Sequence, residues 1–397
     1  MTTKLALPVI LVTAAAAALG WQAASVKLPP PFHTPSSNNR PQVIARPDGA
    51  QLQLPAGFSI AEYATGGFSR PRFMVHGPGG ELLLSDSIPK GSVWVLLDKN
   101  KDHQVDDRKQ LLTGLDRPYG LAFWKDYLYV AETTSLKRYK YDAKALTAGA
   151  GEEVVSMKDF GQGHWTRTVT FDRKGEKMYL AVGSRSNVDP GDPEQRAAIN
   201  RYNPDGTGHE IFAAGTRNPI GLRWYPNSDT LWAAVQERDL LGDDLVPDYF
   251  TSIKQGGFYG WPYAYIGPNE DPRRKGEKPD LVAKTIVPDV PLGAHVAVLD
   301  CLFYTGRQFP AEYRGGAFLA LHGSWNRASR VGYSVQFVPF KNGKPAGAPR
   351  DFLSGWMLAA DKSEVWGRPV GLIELSDGSL LISDDGGNKI WRISFKG

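Results

Sequence analysis

Arg117-Pro-Tyr-Gly-Leu-Ala-Phe, followed closely by Leu128-Tyr-Val-Ala-Glu, is a strand, a tight turn and a second strand. The same pattern occurs as Arg70-Pro-Arg-Phe-Met-Val with Leu82-Leu-Leu-Ser-Asp, and as Trp165-Thr-Arg-Thr-Val-Thr-Phe with Met178-Tyr-Leu-Ala-Val-Gly. It returns as Asn218-Pro-Ile-Gly-Leu-Arg-Trp with Leu231-Trp-Ala-Ala-Val-Gln, and as Leu299-Asp-Cys-Leu-Phe-Tyr with Phe318-Leu-Ala-Leu-His. The sixth copy is Arg368-Pro-Val-Gly-Leu-Ile with Leu380-Leu-Ile-Ser-Asp. Copies at intervals of roughly 45–80 residues, each with several short strands, predict an all-β chain folded as a six-bladed β-propeller. A ring of blades gathers the ends of its inner strands around one central funnel, and the functional residues are expected there.

Third strands with an aromatic signature follow several copies, as in Val93-Trp-Val-Leu, Tyr333-Ser-Val-Gln-Phe and Ile390-Trp-Arg-Ile. Asp-Gly pairs at Asp205-Gly206 and Asp377-Gly378 supply hairpin turns. Phe58-Ser-Ile-Ala-Glu-Tyr alternates like a strand and is expected to complete the last blade as a clasp. A long insertion, from about Leu241 to Pro291, separates the fourth and fifth repeats and contains Gln255-Gly-Gly-Phe-Tyr-Gly-Trp-Pro-Tyr. Loops of that length on a rigid scaffold usually cover or build a site.

Lys4, the apolar run Leu5 to Gly20 and the small residues Ala23, Ala24 and Ser25 read as a secretory signal. The run is shorter than the roughly 20 residues of a comfortable span, and an uncleaved N-terminal anchor is the alternative. The expected organisation is a signal over 1–25, a linker over 26–50 and the propeller over 51–397, in a periplasmic or secreted protein. Cys301 is the only cysteine. It rules out an intrachain disulfide and any thiol metal cluster, and its apolar neighbours Leu302 and Phe303 mark it as core. The net charge of +4 is spread along the chain, and its one dense basic cluster, Arg273-Arg274-Lys275, reads as a solvated loop tip. Nucleic acid is not indicated.

His164 precedes the first strand of the third copy, at a junction that should open on the funnel. Its neighbours give no apolar reason to bury an imidazole, so its place suits a base. Arg217-Asn218 holds the matching place in the fourth copy, and Arg72, Arg167 and Arg368 lie at or near that register. Converging guanidiniums suggest an anionic ligand, because arginine grips carboxylates in bidentate fashion. Gln236-Glu237-Arg238, followed by Asp243-Asp244, could hold a hard cation such as calcium. Asp98-Lys-Asn100-Lys-Asp102-His-Gln-Val-Asp106 resembles a calcium loop, but His103 stands where the turn wants glycine and no Glu closes it.

Three stretches in order carry a family resemblance: Gly161-Gln-Gly-His164-Trp-Thr-Arg with its second strand, Gly215-Thr-Arg217-Asn218-Pro-Ile-Gly-Leu, and Gly256-Gly-Phe-Tyr-Gly-Trp-Pro. They resemble the soluble aldose sugar dehydrogenases that use pyrroloquinoline quinone (PQQ). Gly293-Ala-His295, Phe303-Tyr-Thr-Gly and Leu321-His322-Gly-Ser-Trp-Asn-Arg327 look more like the L-sorbosone dehydrogenase branch. The resemblance runs from about Leu54 to the end. It implies PQQ and calcium on the propeller axis and oxidation of a sugar, polyol or aldehyde hydrate. It casts His164 as the general base and Arg72, Arg217, Asn218, Gln236 and Arg368 as cofactor contacts, with His295 and Arg327 on the channel wall. Glu237 and Arg238 would offer carbonyls to calcium, supported by Asp243 and Asp244. Electrons would leave to a separate acceptor, a cytochrome or a quinone, since no haem-attachment motif is present. Glucose-oxidising members carry an Asp after the Val-Gly of the third copy, where this chain has Ser184. That departure leaves open a non-catalytic binding propeller, and the carboxylates Asp86, Glu132 and Asp384 at the strand ends offer a calcium-dependent lactonase-type propeller as the other alternative.

Overall fold

The computed structural model describes residues 27–397. The expected signal over 1–25 lies outside the described residues.

Six sheets, each with four antiparallel strands and one extended by a short fifth strand, form the ring. In blade one, Pro71–His76 is innermost, followed outward by Leu82–Asp86, Pro89–Leu97 and Asp107–Asp116. The inner strands of blades two to six are Leu121–Trp124, Arg167–Phe171, Asn218–Trp224, Val298–Phe303 and Pro369–Glu374. These are the repeats read from the sequence. Their alternating Leu, Val, Ala and Tyr side chains pack against the adjoining blades, and the second strands are buried throughout, as in Leu82–Asp86 and Leu380–Asp384. Phe58–Thr65 pairs antiparallel with Lys389–Phe395 and completes blade six, so the ring is closed by the expected clasp.

Register decides where chemistry can collect. The start of each inner strand lies opposite the end of the second strand, as in Pro71 with Asp86, Arg167 with Val182, Asn218 with Gln236 and Pro369 with Asp384. Residues just before an inner strand and just after a second strand therefore share one face of the ring.

The carboxylates at the second-strand ends are used structurally. Asp86 accepts the backbone N–H groups of Ser69 and Arg70. Glu132 accepts that of Asp116, and Asp384 those of Arg368, Gly386 and Gly387. Each ties down the loop that enters an inner strand, at the strength of charge-assisted bonds. The three acidic residues on which a lactonase reading depends are thus occupied by backbone.

The stretch from Leu241 to Pro291 is not one loop. Pro247–Ser252 and Val290–Ala294 are the third and fourth strands of blade four, and the excursion lies between them. Within it, Gly257–Phe258 adds a parallel fifth strand to blade three, Ala264–Tyr265 pairs with Asn269–Glu270, and Pro279–Ala283 is a short helix. Residues 32–44 lie across the funnel-side loops as a strap. Phe32 N–H bonds Leu241 O, Asn39 N–H bonds Trp325 O, and Gln42–Val43 pairs in parallel with Glu364–Val365.

The core sits between the blades. Tyr304, Phe309, Phe318, Phe352, Trp356 and Trp391 fill the space between blades five and six, and Phe58 of the clasp makes edge-on contacts with Phe309, Tyr313 and Phe352. Truncating a buried ring of this kind costs about 3–5 kcal/mol. Cys301 is fully buried, as its apolar strand requires.

Candidate active site

A cavity of about 240 Å³ opens at the shared strand-end face. Blades three and four contribute His164, Arg217, Gln236, Glu237, Asp239 and Asp248, and the loops around blade five add His295, Ala297, Trp325 and Asn326. Of the residues singled out in the sequence, His164, Arg217, Gln236, Glu237 and His295 meet here. Asn218 adjoins them, donating from Nδ2 to Gln236 Oε1 at 3.0 Å.

His164 is held from behind. Its Nδ1 lies 2.8 Å from the Ser184 carbonyl oxygen and 3.1 Å from Ser184 Oγ, which itself donates to Ser186 O. A carbonyl can only accept, so Nδ1 carries the proton and Nε2 keeps the lone pair. Ser184 thus orients the ring without a carboxylate. The loop is pinned by Arg196, whose guanidinium donates to the carbonyls of Phe160, Gly161, Gln162, Gly183, His164 and Ser184. Arg167 adds a bond to His164 O and is buried as scaffold, not offered as a ligand. The imidazole is partly open to the cavity. Burial within the funnel wall, reinforced by Arg217, Arg196 and Arg167, still drives its pKa down to about 3, against the Ser184 bond.

Arg217 Nη1 donates to Glu237 O, and Nη2 reaches Asn187 Oδ1 and Asp239 Oδ2. The excursion of blade four supports this cluster, because Trp261 Nε1 donates to the Asn187 carbonyl. Glu237 and Asp248 are buried side by side, with Asp248 accepting from Glu237 N and Ala297 N. Burial pushes Glu237 up to about 8 despite Arg217, and Asp248 up to about 7 despite its two amide bonds. Glu237 Oε2 accepts from Arg238 N, whereas Oε1 is buried with no partner. His295, in a left-handed backbone conformation at φ 64°, has both nitrogens engaged, Nε2 with Gly242 O and Nδ1 with Asn326 Nδ2. It has no nitrogen free to act as a base.

A second cluster lies across the funnel at blades one, five and six. Arg72 pairs with Asp385 at 2.5 Å, and His322 Nε2 donates to the other Asp385 oxygen at 2.7 Å. Burial works to raise the Asp385 carboxyl, but Arg72, His322 and Arg368 overcome it and hold it well below the usual range. Arg368 donates to the carbonyls of His322 and Gly323 and has no carboxylate within ion-pair distance. The Arg72 guanidinium stacks 5.0 Å from the centre of Trp165, the neighbour of His164, and so links the two clusters.

The other residues singled out support the rim. Arg238 forms a buried pair with Asp271, both 2% exposed. Arg327 donates to Asp243 O and pairs with Asp244, and the Asp243 carboxylate accepts from Ala328 N. In the Asp98–Asp106 loop, His103 adopts the left-handed turn at φ 68°, but Asp98 and Asp106 accept the loop's own amides. Sequence reasoning missed Asn187, Arg196, Asp239, Asp248, Asn326 and Asp385. Three of them carried a signal: Asp239 and Asp385 as direct neighbours of Glu237-Arg238 and of a second-strand end, and Asn326 as part of the quoted motif that ends at Arg327.

Fold and site together define a six-bladed propeller with a polar cavity that holds His164 and Arg217 at one strand-end face. The chain belongs to the TrAA12-like family, whose model matches residues 52–246 and 274–396. It is 30% identical to an uncharacterized protein of Borreliella burgdorferi, over 87% of this chain and 91% of that one. It is 25% identical to the pyrroloquinoline quinone-dependent pyranose dehydrogenase of Coprinopsis cinerea over 86% of this chain, and spans only about half (54%) of that enzyme. The PQQ domain of that pyranose dehydrogenase in its holo form superposes with a TM-score of 0.73 at 22% identity, covering 89% of this chain and 99% of the domain. A calcium structure of the family AA12 enzyme of Trichoderma reesei gives 0.76 at 22% identity, covering 90% and 99%. The resemblance to quinone-dependent sugar dehydrogenases read from the motifs is borne out at the level of the family.

Proposed function

We propose that this protein is an exported quinoprotein that oxidises a sugar or polyol hydroxyl, or an aldehyde hydrate, with His164 as the general base. The observation that carries this reading is the His164 tautomer, because a proton fixed on Nδ1 leaves Nε2 as the acceptor in a half-buried, polar cavity.

The donor set fits a multiply carboxylated ligand. Arg368 donates only to the carbonyls of His322 and Gly323, and Arg72 Nε is buried without a partner among the described residues. Such orphans cost about 1–3 kcal/mol each unless something pairs with them. Arg72, Arg217, Asn218, Gln236 and Arg368 would hold PQQ. Among the described residues no group of three or more His, Cys, Asp or Glu side chains is arranged to hold a metal alone. Calcium would therefore draw on Glu237 Oε1, on the carbonyls of Glu237 and Arg238, and on the quinone. When bound, PQQ supplies a two-electron hydride acceptor, and calcium a Lewis acid that polarises it.

The chain's own part is to place the substrate hydroxyl against His164 Nε2, accept its proton there, and keep the imidazolium from drifting through the Ser184 and Arg196 contacts. A separate cytochrome or quinone would collect the electrons. Relatives named for pyranose oxidation favour a ring sugar as substrate. The reading of residues 1–25 as a signal supports a periplasmic or secreted location.

Titration of metal-stripped protein with PQQ, with and without calcium, followed by sugar-dependent dye reduction, tests the proposal. Tight, calcium-dependent, stoichiometric binding with turnover is expected. Failure to bind PQQ overturns it.

A further inference from the structure

The cavity wall contains one large flat side chain. Trp325 is half-buried beside His164, Arg217 and Gln236. Most tryptophans of the described residues pack against another aromatic ring, as Trp232 does on Phe250 and Trp366 on Trp391. Among the described residues Trp325 pairs with no aromatic ring, and the Arg40 guanidinium lies over it, 5.7 Å from the ring centre.

Arg40 belongs to the strap, and the strap grips this loop in several places. Asn39 N–H donates to Trp325 O at 2.6 Å, and Asn39 Nδ2 donates to the carbonyls of Arg327 and Ala328. Asn39 Oδ1 accepts from Arg330 Nη2 at 2.7 Å, while Arg330 Nη1 holds Ser324 O. Backbone at and after Trp325 is thus fixed by one residue from almost 290 positions away in sequence, and Ser324 before it by the Arg330 that the same residue holds. A loop that merely closed the ring would need no such hold on an indole that buries only part of itself. An indole face beside converging donors and acceptors suits a ring sugar, whose C–H face packs on the aromatic while its hydroxyls find polar partners.

We propose that Trp325 is the sugar-contacting wall of the cavity, and that Asn39 and Arg40 of the N-terminal strap hold its indole where a pyranose ring packs. This rests on the sugar-oxidising reading above. It adds a specificity-determining residue and a positioning role for a segment the sequence presents as a linker.

The full chain is tested as Trp325→Ala, Trp325→Phe and the double variant Asn39→Ala/Arg40→Ala. D-glucose, D-galactose and D-mannose are the probes, with PQQ titration as the control. Trp325→Ala should raise KM at least tenfold for the sugar turned over best, leave kcat within about threefold, and leave PQQ affinity unchanged. Trp325→Phe should recover most of the loss, and the strap variant should raise KM several-fold at unchanged kcat. An unchanged KM in Trp325→Ala, or a loss of PQQ binding in Trp325→Phe, overturns the proposal. Sugar-dependent quenching of tryptophan emission in the quinone-free protein separates it from the enzymatic reading. Quenching that Trp325→Phe abolishes, without turnover in the wild type, would keep the sugar wall and sink the oxidoreductase. Neither quenching nor turnover would sink both.

Discussion

His164 Nδ1 lies 2.8 Å from the main-chain carbonyl of Ser184, so a backbone oxygen fixes the tautomer that a carboxylate would otherwise fix. Losing the acidic side chain at position 184 therefore need not disable the imidazole. What it removes is a negative charge that would stabilise the imidazolium. Ser184→Ala keeps the carbonyl and should change kcat by less than about fivefold, as a lone neutral hydrogen bond of about 1 kcal/mol predicts. Ser184→Asp should move the His164 pKa up from about 3, measured by NMR titration of the ring. A kcat collapse in Ser184→Ala, with an unmoved pKa in Ser184→Asp, would contradict this account.

His164→Ala should abolish quinone-dependent dye reduction and leave PQQ affinity within a few-fold, because the proposed cofactor contacts lie on other strands. The pH profile follows from the depressed pKa. The base form is fully present above about 3 and is lost only as pH falls through that value, so His164 adds no inflection between pH 5 and 8 in the ligand-free enzyme. Carboxylates of bound PQQ would offset the three guanidiniums, so NMR titration of the ring should place the His164 pKa higher in the PQQ-loaded protein than in the quinone-free protein.

Glu237 has the opposite sign. Its folded pKa of about 8 lies above the ordinary value, so its contribution to stability is full below about 4.5 and is lost as pH rises through about 8. In calcium-free buffer the wild-type Tm should fall from pH 5 to 9, and Glu237→Gln should flatten that fall. The same variant should lose calcium-dependent gain in Tm, because it replaces the one buried, unpartnered carboxylate oxygen of the cavity. A calcium response as large as the wild type's would remove Glu237 from the metal site.

The ring was legible because each blade repeats a two-strand pattern whose hydrophobic period carries the register with it. His164 and Arg217 were legible for the same reason, as they precede the inner strands of successive copies, and Gln236 as the end of the fourth copy's second strand. Arg196 and Asp248 were not. Arg196 acts through six carbonyls of two segments, 160–164 and 183–184, and no local pattern announces a guanidinium whose partners lie that far away in the chain. Asp248 sits in a fully buried strand, where only the tertiary approach of Glu237 N and Ala297 N explains a carboxylate. The sequence pointed to the Arg238 carbonyl, and no local pattern announces that its side chain is committed to Asp271.

That commitment is itself testable. Arg238 and Asp271 are each 2% exposed and 2.7 Å apart, joining blade four to its excursion. Asp271→Ala leaves a guanidinium buried without its partner, which costs about 3–5 kcal/mol. Replacing both residues with apolar side chains of similar volume should recover much of that loss. Denaturant melts of the two variants decide it, and a single variant as stable as the wild type would show the pair to be dispensable.

Gly183 marks how tightly the candidate base is seated. A methyl group there would lie 2.2 Å from Asn218 Oδ1 and 2.7 Å from His164 Cβ. Neither neighbour can yield freely, because His164 is tied to Ser184 and Asn218 to Gln236. Overpacking of this kind costs about 1–3 kcal/mol, which a ring with such extensive interblade cores survives. Activity should suffer more than stability. A shift of about 1 Å at the base is enough for a loss on the order of 100-fold in kcat. Gly183→Ala should therefore melt within several degrees of the wild type, bind PQQ more weakly through Asn218, and turn over sugar about two orders of magnitude more slowly. Full turnover in a folded Gly183→Ala protein would show that His164 and Asn218 do not need the close approach that this glycine permits.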